Sequence, residues 1–484
     1  MRIDKPRDYV IKNLHYAFHP GSIAVVGASD NPGKVGFQVI HGLRRYRYGG
    51  RIYPVNDHID RIQGLKAYRE LRDIPEQIDL LFVAVRYDKV KSVLAQAVEK
   101  QVRVVAVSTS DFKETGHGEL QDELTRFCRD HKLPLLGPNL LGLGNPHFSF
   151  NCGFTSFLPE KGPVAMISQS GANMLGAMGA SQLRHYGLSF FAGLGNKADV
   201  DFSELMMFAK DDPKTKSVAV YIEGLDSPEA FISACKSIVP DKPVAVIKAG
   251  RSKMGVKAAF RHTASENAGT SDAAFDAIFE RAGAIRLESW QEFLDVSLAL
   301  GLQPPLKGDN VVMITNGGGS GLLSCDQFER RGMPMRELAE ISEGLGKTLS
   351  PYMPEFWSAL NPLDLSGMAA PWQYEVAFRR CFEDPRVDGV YGSVCPTAVT
   401  DVPAITSVAI MIHEKYRHLG KPFVMELQGG YECNQAIIDL RDHGIASFPS
   451  AEQAVNGIVA LRKYFRIRER EIQSQNPTKA AAKE

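Results

Sequence analysis

His262 is the side chain of this sequence best suited to carry a group during a reaction. It lies within Lys257-Ala-Ala-Phe-Arg-His-Thr-Ala-Ser-Glu-Asn-Ala-Gly269, a stretch of small and polar residues that predicts a loop before a helix over 271–282. An imidazole on such a loop is largely unprotonated near neutral pH and is then a competent nucleophile. The same pattern fits an ordinary surface histidine, so the segment alone leaves both interpretations open.

Glu223 is the candidate partner of that imidazole. It follows the apolar run Ser217-Val-Ala-Val-Tyr-Ile222, which predicts a buried strand, and it therefore stands at the carboxyl end of that strand. Ligands bind at this edge of a doubly wound sheet. A carboxylate there could hydrogen-bond one ring nitrogen of a histidine, fix its tautomer and leave the other nitrogen free to attack phosphorus. The alternative is a solvated acid at a strand end.

Two Gly-rich turns predict sites for phosphate groups. Gly27-Ala-Ser-Asp-Asn-Pro-Gly-Lys-Val-Gly36 follows the first apolar strand, and Ser168-Gln-Ser-Gly-Ala172 comes before a helix expected over 173–184. Backbone N–H groups at such turns and at helix N-termini favour a bound anion. The alternatives are a turn without a ligand in the first case and a serine N-cap in the second.

The first turn does not match a dinucleotide-binding fingerprint. That fingerprint requires GxGxxG and an acidic residue at the end of the second strand. Here the glycine spacing differs, and the second strand ends at Asn56. We expect Arg51 and Lys34 to flank the turn, which suits a phosphorylated ribose or another anionic cofactor.

The remaining motifs give weaker signals. Asn316-Gly-Gly-Gly-Ser-Gly321 resembles a phosphate loop, but no Lys-Ser/Thr pair follows it, which excludes a P-loop NTPase. Asn361-Pro-Leu-Asp364 is best interpreted as a structural Asx turn. No His/Asp/Glu cluster has metal-ligand spacing, and no GxSxG nucleophile elbow is present.

The elements that must position these residues recur three times along the chain. Each time a short apolar run ends in a Gly-rich turn and a helix-like segment follows, with the runs starting at Ile23, Val164 and Val311, spacings of 141 and 147 residues. Near-continuous apolar strands of this kind suit parallel sheets covered on both faces. The pattern predicts an α/β protein of three doubly wound domains, over 1–150, 151–303 and 304–470, with a disordered tail over 471–484.

Composition narrows the class of protein further. The 484 residues carry 56 basic and 56 acidic side chains, and this balance argues against a nucleic-acid or anionic-membrane binder. The charged N-terminus predicts no secretory signal, and the longest charge-free stretch, 162–183, is too rich in glycine and polar residues for a membrane span. Seven scattered cysteines predict reduced thiols of a cytoplasmic protein.

The order of these motifs resembles the α subunit of NDP-forming acyl-CoA synthetases, the ADP-forming acetyl-CoA synthetase branch of the succinyl-CoA synthetase superfamily. The resemblance covers about residues 18 to 465. It implies a Rossmann-like CoA-binding domain followed by two flavodoxin-like ligase domains. The matching motifs are Gly27–Gly36, Val55-Asn56, Gly137-Pro-Asn139, Ser168–Ala172, Ile222-Glu-Gly224, His262-Thr263, Thr315–Gly319 and Asn361–Asp364.

The resemblance assigns roles to individual residues. It makes His262 the phosphohistidine and Glu223 its catalytic partner. It places phosphate at Ser168, Gln169, Ser170, Gly171 and Ala172, and no metal on this chain. It places CoA at Gly27, Ala28, Ser29, Pro32, Gly33, Lys34, Val35, Gly36, Arg51, Asn56, Val85, Ser108, Glu114 and Asn139.

The resemblance also implies a reaction and a partner. A small carboxylic acid, CoA and a nucleoside triphosphate would be interconverted with acyl-CoA, nucleoside diphosphate and phosphate. ADP or GDP with Mg²⁺ is expected on a separate ATP-grasp β subunit, in an α2β2 assembly.

Departures from the family pattern occur at Val55-Asn-Asp-His58, at Ser108–Glu114 and after His262. They leave open the alternative of a CoA or acyl-CoA sensor with the same fold that has lost phosphotransfer. A nicotinamide oxidoreductase is disfavoured by Asn56 and by the glycine spacing.

Overall fold

The computed structural model of the chain describes residues 5–263 and 271–475, with the side chains of 260–263 left out of the description. The chain divides into two compact units, Met1–Glu288 and Ser289–Glu484. The first unit contains two of the three major sheets and the second contains the third. Doubly wound parallel sheets confirm the predicted α/β fold class.

The first sheet has the strand order β2-β1-β5-β6-β7 and is parallel throughout. The chain leaves β1 toward β2 and returns on the other side to β5, which places a topological switch point, and hence a ligand crevice, beyond the carboxyl end of β1. The elements are α1 (Asp8–Phe18), β1 (Ser22–Val26), α2 (Val35–Arg45), β2 (Arg51–Val55), β3 (Arg61–Ile62), β4 (Leu65–Lys66), β5 (Leu80–Val83), α3 (Tyr87–Glu99), β6 (Val104–Val107), α4 (Gly118–Asp130) and β7 (Leu135–Leu136).

The second sheet has the order β14-β13-β12-β10-β11-β8-β9, and its strands from β10 onward are parallel. Its elements are β8 (Gly142–Asn145), β9 (Phe150–Gly153), β10 (Lys161–Ser168), α5 (Gly171–Arg184), β11 (Leu188–Gly193), α6 (Phe202–Asp211), β12 (Ser217–Ile222), α7 (Pro228–Ile238), β13 (Val244–Lys248), α8 (Lys253–Thr263), α9 (Asp272–Ala282) and β14 (Ile285–Leu287).

The hairpin β8–β9 extends this second sheet, although the sequence analysis assigned most of it to the first domain. β8 pairs antiparallel with β11 through Gly144 and Phe191. A Cβ atom on Gly144 would lie 2.4 Å from the ring of Phe191, so glycine is needed for the ring to cover the strand. The hairpin thus ties the end of the first predicted domain to the sheet of the second.

The third sheet has the order β16-β15-β17-β18-β19 and is parallel. Helix α10 packs on α17 within the second compact unit. The elements are α10 (Trp290–Leu302), β15 (Val311–Thr315), α11 (Gly318–Arg330), α12 (Leu338–Ile341), α13 (Glu343–Leu349), β16 (Leu363–Asp364), α14 (Pro371–Glu383), β17 (Gly389–Val394), α15 (Val402–Tyr416), β18 (Phe423–Leu427), α16 (Tyr431–Asp442), β19 (Ala446–Phe448) and α17 (Ala451–Gln475).

Two predicted irregular segments are helical where the structure describes them. The loop expected over 257–269 is part of α8 as far as Thr263, in keeping with the helix propensity of its Lys-Ala-Ala run. The tail expected from 471 onward continues α17 to Gln475. Within residues 5–263 and 271–475, no helix is both long and apolar enough to cross a bilayer.

Candidate functional site

The Gly27 turn lies in the crevice at the end of β1 and is held by close backbone contacts. Gly27 has φ +88°, and a Cβ atom there would lie 2.3 Å from the carbonyl oxygen of Ala84. A Cβ atom on Gly36 would lie 2.0 Å from the carbonyl oxygen of Gly27. Asn56 Nδ2 donates to the carbonyl oxygen of Ala28 over 2.9 Å. The turn therefore presses the start of α2 against the strand end, an arrangement that presents backbone N–H groups to an anion.

If this turn holds CoA, as the resemblance implies, Gly36→Ala should weaken CoA binding roughly tenfold or more, because the added methyl group must push α2 away from the turn. Isothermal titration of the purified chain with CoA measures the effect. Gly49→Ala is the matched control, since a Cβ atom on Gly49 meets nothing within 4 Å. Equal CoA affinities for the two variants would contradict this account of the turn.

Lys34 and Arg51, the two residues predicted to flank this turn, lie at opposite edges of the sheet. Lys34 directly precedes α2 and is exposed at the turn. Arg51 instead begins β2 opposite Ser22, at the amino edge of the sheet, and pairs with Glu76 over 2.5 Å. Four residues of strand, about 13 Å, separate it from the carboxyl edge. The expectation that Arg51 flanks the turn is therefore wrong.

A cavity of about 320 Å³ joins the predicted CoA residues to the predicted phosphate residues. Three members of each set line it: Val35, Ser108 and Asn139 from the first, and Gln169, Gly171 and Ala172 from the second. Its apolar wall comes from Leu140, Leu141 and Phe154, which the sequence analysis did not single out. These three follow the Gly137-Pro-Asn139 loop and β9, so only the pairing of the β8–β9 hairpin reveals their position.

The serine-rich turn at the end of β10 is built to start a helix with its amides exposed to the cavity. Ser168 Oγ donates to the carbonyl oxygen of Ser170 over 2.7 Å and accepts from its N–H over 3.2 Å. Ser170 caps α5 by accepting from the N–H of Asn173 over 3.3 Å. The first N–H groups of a helix carry partial positive charge, so the cavity favours a phosphate at this end.

Glu223 lies at the same sheet edge, one residue past β12, and is only 5% exposed. Its backbone N–H donates to Gln169 Oε1 over 2.8 Å, which fixes it beside the serine turn. Burial, and next the charge of Glu223, raise the pKa of Tyr221 to about 12. The side chain of Glu223 is thus buried next to the end of the cavity that Gln169, Gly171 and Ala172 line.

The helix that carries position 262 lies against a turn that contains one of the predicted CoA residues. Helix α8 contacts the 3-10 turn Lys113–Thr115, which includes Glu114. The side chain of His262 is outside the described residues, so its predicted role is taken up below as a proposal.

Asn196 connects the two sheets behind the cavity and was not foreseen from the sequence. Its Nδ2 donates to Glu114 Oε2 and, over 3.0 Å, to Gln121 Oε1. Its Oδ1 accepts from Asn139 Nδ2 over 3.3 Å. The sequence feature that could have indicated Asn196 is the glycine before it, Gly195, just after the apolar run of β11. In the structure Gly195 has φ +54° and lies at the same sheet edge. This chain of bonds links predicted residues Glu114 and Asn139 to one another.

Other predicted CoA residues hold the turn without lining the cavity. Asn31 N–H donates to Ser29 Oγ over 3.0 Å, and Gly33 N–H donates to Asn31 Oδ1 over 2.9 Å. The carbonyl oxygen of Pro32 accepts from Gln38 Nε2 over 2.6 Å, and that of Val85 accepts from Thr109 Oγ1 over 2.7 Å.

Three family models match the chain in succession. A CoA binding domain matches residues 21–146, a succinyl-CoA ligase-like flavodoxin domain matches 161–300, and a ligase-CoA domain matches 311–471. The chain is 37% identical over 463 residues to the alpha subunit of acetate–CoA ligase [ADP-forming] I of Pyrococcus furiosus, covering 93% of this chain and 98% of that one. The chain belongs to the family of ADP-forming acyl-CoA synthetase α subunits.

Solved structures agree with this membership. Dinucleotide-forming acetyl-coenzyme A synthetase 1 of Ca. Korarchaeum cryptofilum, in complex with phosphate and ADP, superposes with a TM-score of 0.90 at 33% identity, covering 95% of this α subunit and 98% of that chain. A Pyrococcus horikoshii protein superposes with a TM-score of 0.85 at 30% identity, covering 94% and 99%. The family recognised from the motif order is thereby confirmed.

The third sheet of this α subunit repeats the serine turn with different residues. Thr315 Oγ1 donates to the carbonyl oxygen of Gly317 over 3.2 Å and accepts from its N–H over 3.0 Å, just before α11. Asn361 donates to the carbonyl oxygens of Val311 and Arg336, over 2.8 and 2.9 Å, which supports its structural interpretation. In the described parts of the chain, no group of three or more His, Cys, Asp or Glu side chains is placed to hold a metal.

Asp201 gives this α subunit a pH-dependent contribution to stability. Burial raises the pKa of this half-buried N-cap of α6 to about 6, although Lys197 acts in the opposite direction. Ionisation of Asp201 therefore costs folding free energy above pH 6. This cost is removed as the pH falls from about 6 toward about 4, so the folded protein becomes more stable over that range.

Asp201→Asn keeps an oxygen to cap α6 and removes the ionisation. We expect the variant to be more stable than the wild type by about 1–2 kcal/mol at pH 8, with a smaller difference at pH 5. Urea unfolding at both pH values measures this difference. A variant that is less stable at pH 8, or a difference that grows on acidification, would rule out the assigned sign.

Proposed function

We propose that this α subunit catalyses two steps of a reversible acid–thiol ligation. In the first, inorganic phosphate attacks the thioester carbonyl of acyl-CoA, which gives acyl phosphate and free CoA. In the second, His262 attacks the phosphorus of acyl phosphate, which releases the carboxylate and gives phospho-His262. A partner chain then passes that phosphoryl group to ADP or GDP.

The single observation that carries the proposal is the cavity that unites the two halves of the first reaction. Ser108 and Asn139 stand at the carboxyl edge of the CoA-binding sheet, and Gln169, Gly171 and Ala172 stand at the start of α5. The close contacts at Gly36 hold the Gly27 turn against the start of α2, where a CoA phosphate could bind backbone N–H groups, and Gly171 and Ala172 line the cavity at the start of α5. A cavity that holds a thioester and a phosphate side by side lowers the entropic part of the activation barrier for their reaction.

Glu223 supports the second step. It is buried beside the end of the cavity that Gln169, Gly171 and Ala172 line, and Gln169 Oε1 holds its backbone N–H. A carboxylate that accepts from one ring N–H of His262 would set the tautomer and stabilise the imidazolium that forms. The N-terminus of α5 would stabilise the charge on the transferring phosphoryl group.

The partner proposed for this chain is an ATP-grasp β subunit, in an α2β2 assembly, that binds the nucleotide and its Mg²⁺. Two Pyrococcus furiosus relatives that span almost the same length are named as alpha subunits. An acetate–CoA ligase [ADP-forming] of Methanocaldococcus jannaschii is 32% identical, and this chain covers 65% of it. That relative carries, in one chain, a region similar to this α subunit and further sequence that this α subunit does not match. We take this as support for a separate partner chain that supplies the further part.

The acyl substrate proposed is a small carboxylic acid. Relatives are named for acetate and, at 28% identity, for 4-hydroxybutyrate. Leu141 and Phe154 give the cavity an apolar wall next to the phosphate end, which suits the carbon chain of such an acid.

Incubation of the purified chain with acetyl-CoA and ³²P-labelled phosphate tests the proposal. We expect label on the chain that is labile in acid and stable in base, as a phosphohistidine is, and that is lost when ADP and the β subunit are added. CoA binding by calorimetry without label under any condition would instead favour the sensor with the same fold.

A further inference from the structure

A second cavity, of about 560 Å³, lies within the Met1–Glu288 unit and shares no lining residue with the cavity described above. It is lined by one face of α1, by the turn after β8 and by the end of α6. Helix α6 ends just before β12 begins, and β8 runs antiparallel to β11, so these segments meet at the amino edge of the second sheet. This amino-edge cavity is therefore separate from the carboxyl edge, where the predicted CoA and phosphate residues meet.

Four aromatic rings form one wall of the amino-edge cavity. His15 and His19, one turn apart at the end of α1, are stacked with ring centroids 4.9 Å apart and planes inclined by 17°. Phe148 meets the His19 ring edge-on at 5.6 Å between centroids, and the Phe208 ring lies 6.4 Å from it. Rings attract one another at such separations, and a cavity of this size holds a small ligand. The wall therefore suits a flat aromatic group.

The polar lining of the amino-edge cavity carries charges of both signs. Lys12 and Lys214 are exposed cations and Asp211 is an exposed anion, and none of the three forms an ion pair with another described residue. Asp212, the other acid of the lining, already has partners, because its carboxylate accepts from the N–H of Lys214 over 3.2 Å and from Thr215 Oγ1 over 2.6 Å. Unpaired charges of both signs beside an aromatic wall match a zwitterion, whereas an uncharged ring would leave them without partners.

His147 adds a hydrogen-bond acceptor to the same lining. Its Nε2 lies 3.1 Å from the carbonyl oxygen of Gly162. A carbonyl oxygen only accepts, so Nε2 carries the ring proton. In the neutral ring Nδ1 is then unprotonated and can accept from an ammonium group.

We propose that the amino-edge cavity binds a free aromatic amino acid. The ring of the ligand would lie against the aromatic wall, and its carboxylate would pair with Lys12 or Lys214. Its ammonium group would pair with Asp211 and donate to His147 Nδ1. The proposal goes beyond the acid–thiol ligation and does not depend on it, because no residue of this cavity takes part in that reaction.

Calorimetric titration of the CoA-loaded chain with L-phenylalanine tests the proposal, with CoA present to occupy the carboxyl-edge cavity. We expect binding with a Kd of about 1 mM or below. L-Phenylalaninol, which lacks the carboxylate, is expected to bind roughly tenfold or more weakly. Asp211→Asn is expected to weaken the binding of L-phenylalanine by a similar factor. The thermal unfolding midpoint should remain that of the wild type, because the Asp211 side chain is exposed.

Asp122→Asn is the matched control, because it makes the same change at an exposed carboxylate of α4 that does not line the cavity. Loss of affinity for L-phenylalanine in Asp211→Asn, with unchanged affinity in the control, would support the proposal. It would be overturned by a wild type that binds no L-phenylalanine, by equal affinities in the two variants, or by tighter binding of adenine than of L-phenylalanine. The titration needs neither His262 nor a partner chain, so a failure of phosphohistidine formation is recorded separately.

Discussion

Replacement of His262 by asparagine is expected to lower the rate of acyl-CoA synthesis from acid, CoA and ATP by roughly 10⁴-fold or more. Asparagine is close in size but cannot form the phosphoramidate, so no phosphoryl group can pass between the cavity and the partner chain. The measurement is coupled turnover with the β subunit, together with ³²P incorporation into the α subunit. Both readings should fall to background.

The first step gives this experiment an internal check. Phosphate attack on acetyl-CoA does not use His262, so phosphate-dependent release of the free CoA thiol from acetyl-CoA should still be detected in the variant. His443→Asn, an exposed histidine of the third sheet's unit, should behave as the wild type. Synthesis by His262→Asn at a normal rate would end the phosphohistidine proposal.

Replacement of Glu223 by glutamine is expected to reduce turnover by about 10²-fold or more. The substitution keeps the size of the side chain and leaves the backbone bond to Gln169 Oε1 in place. It removes the negative charge that would hold the ring N–H of His262 and stabilise the imidazolium. Because the loss concerns the transition state, kcat should fall with little change in the KM for CoA.

Glu229→Gln provides the comparison for this variant, since Glu229 is an exposed carboxylate on α7 that pairs with Arg281. It should retain full activity. The rate of ³²P incorporation from acetyl-CoA and phosphate should fall in Glu223→Gln by the same factor as turnover. A normal incorporation rate would show that Glu223 acts elsewhere or only supports the fold.

Residues at strand ends were the part of the site that could be predicted from sequence. A parallel sheet brings its carboxyl ends to one edge, so the runs ending at Val26, Ser168 and Ile222 were enough to place Gly27, Gln169 and Glu223 there. Local sequence patterns determine such positions because each depends on one strand and the residue that follows it.

Contacts between distant segments could not be predicted in this way. Asn196 joins Glu114 to Asn139 only because two sheets meet, and no local pattern indicates that meeting. Arg51 was misplaced for a different reason: its charge suggested a ligand contact, whereas its position at the start of β2 puts it at the opposite edge. The helical part of 257–269 shows that small polar residues do not by themselves exclude a helix.

The β8–β9 hairpin has a consequence for how this protein can be divided and recombined. Because residues 142–153 belong by chain order to one Rossmann-like fold but complete the edge of the next sheet, a chimaera joined near 150 would split the hairpin and leave an open strand edge beside an incomplete cavity. Exchange of modules between homologues is therefore better made after Glu288, where one compact unit ends and the next begins.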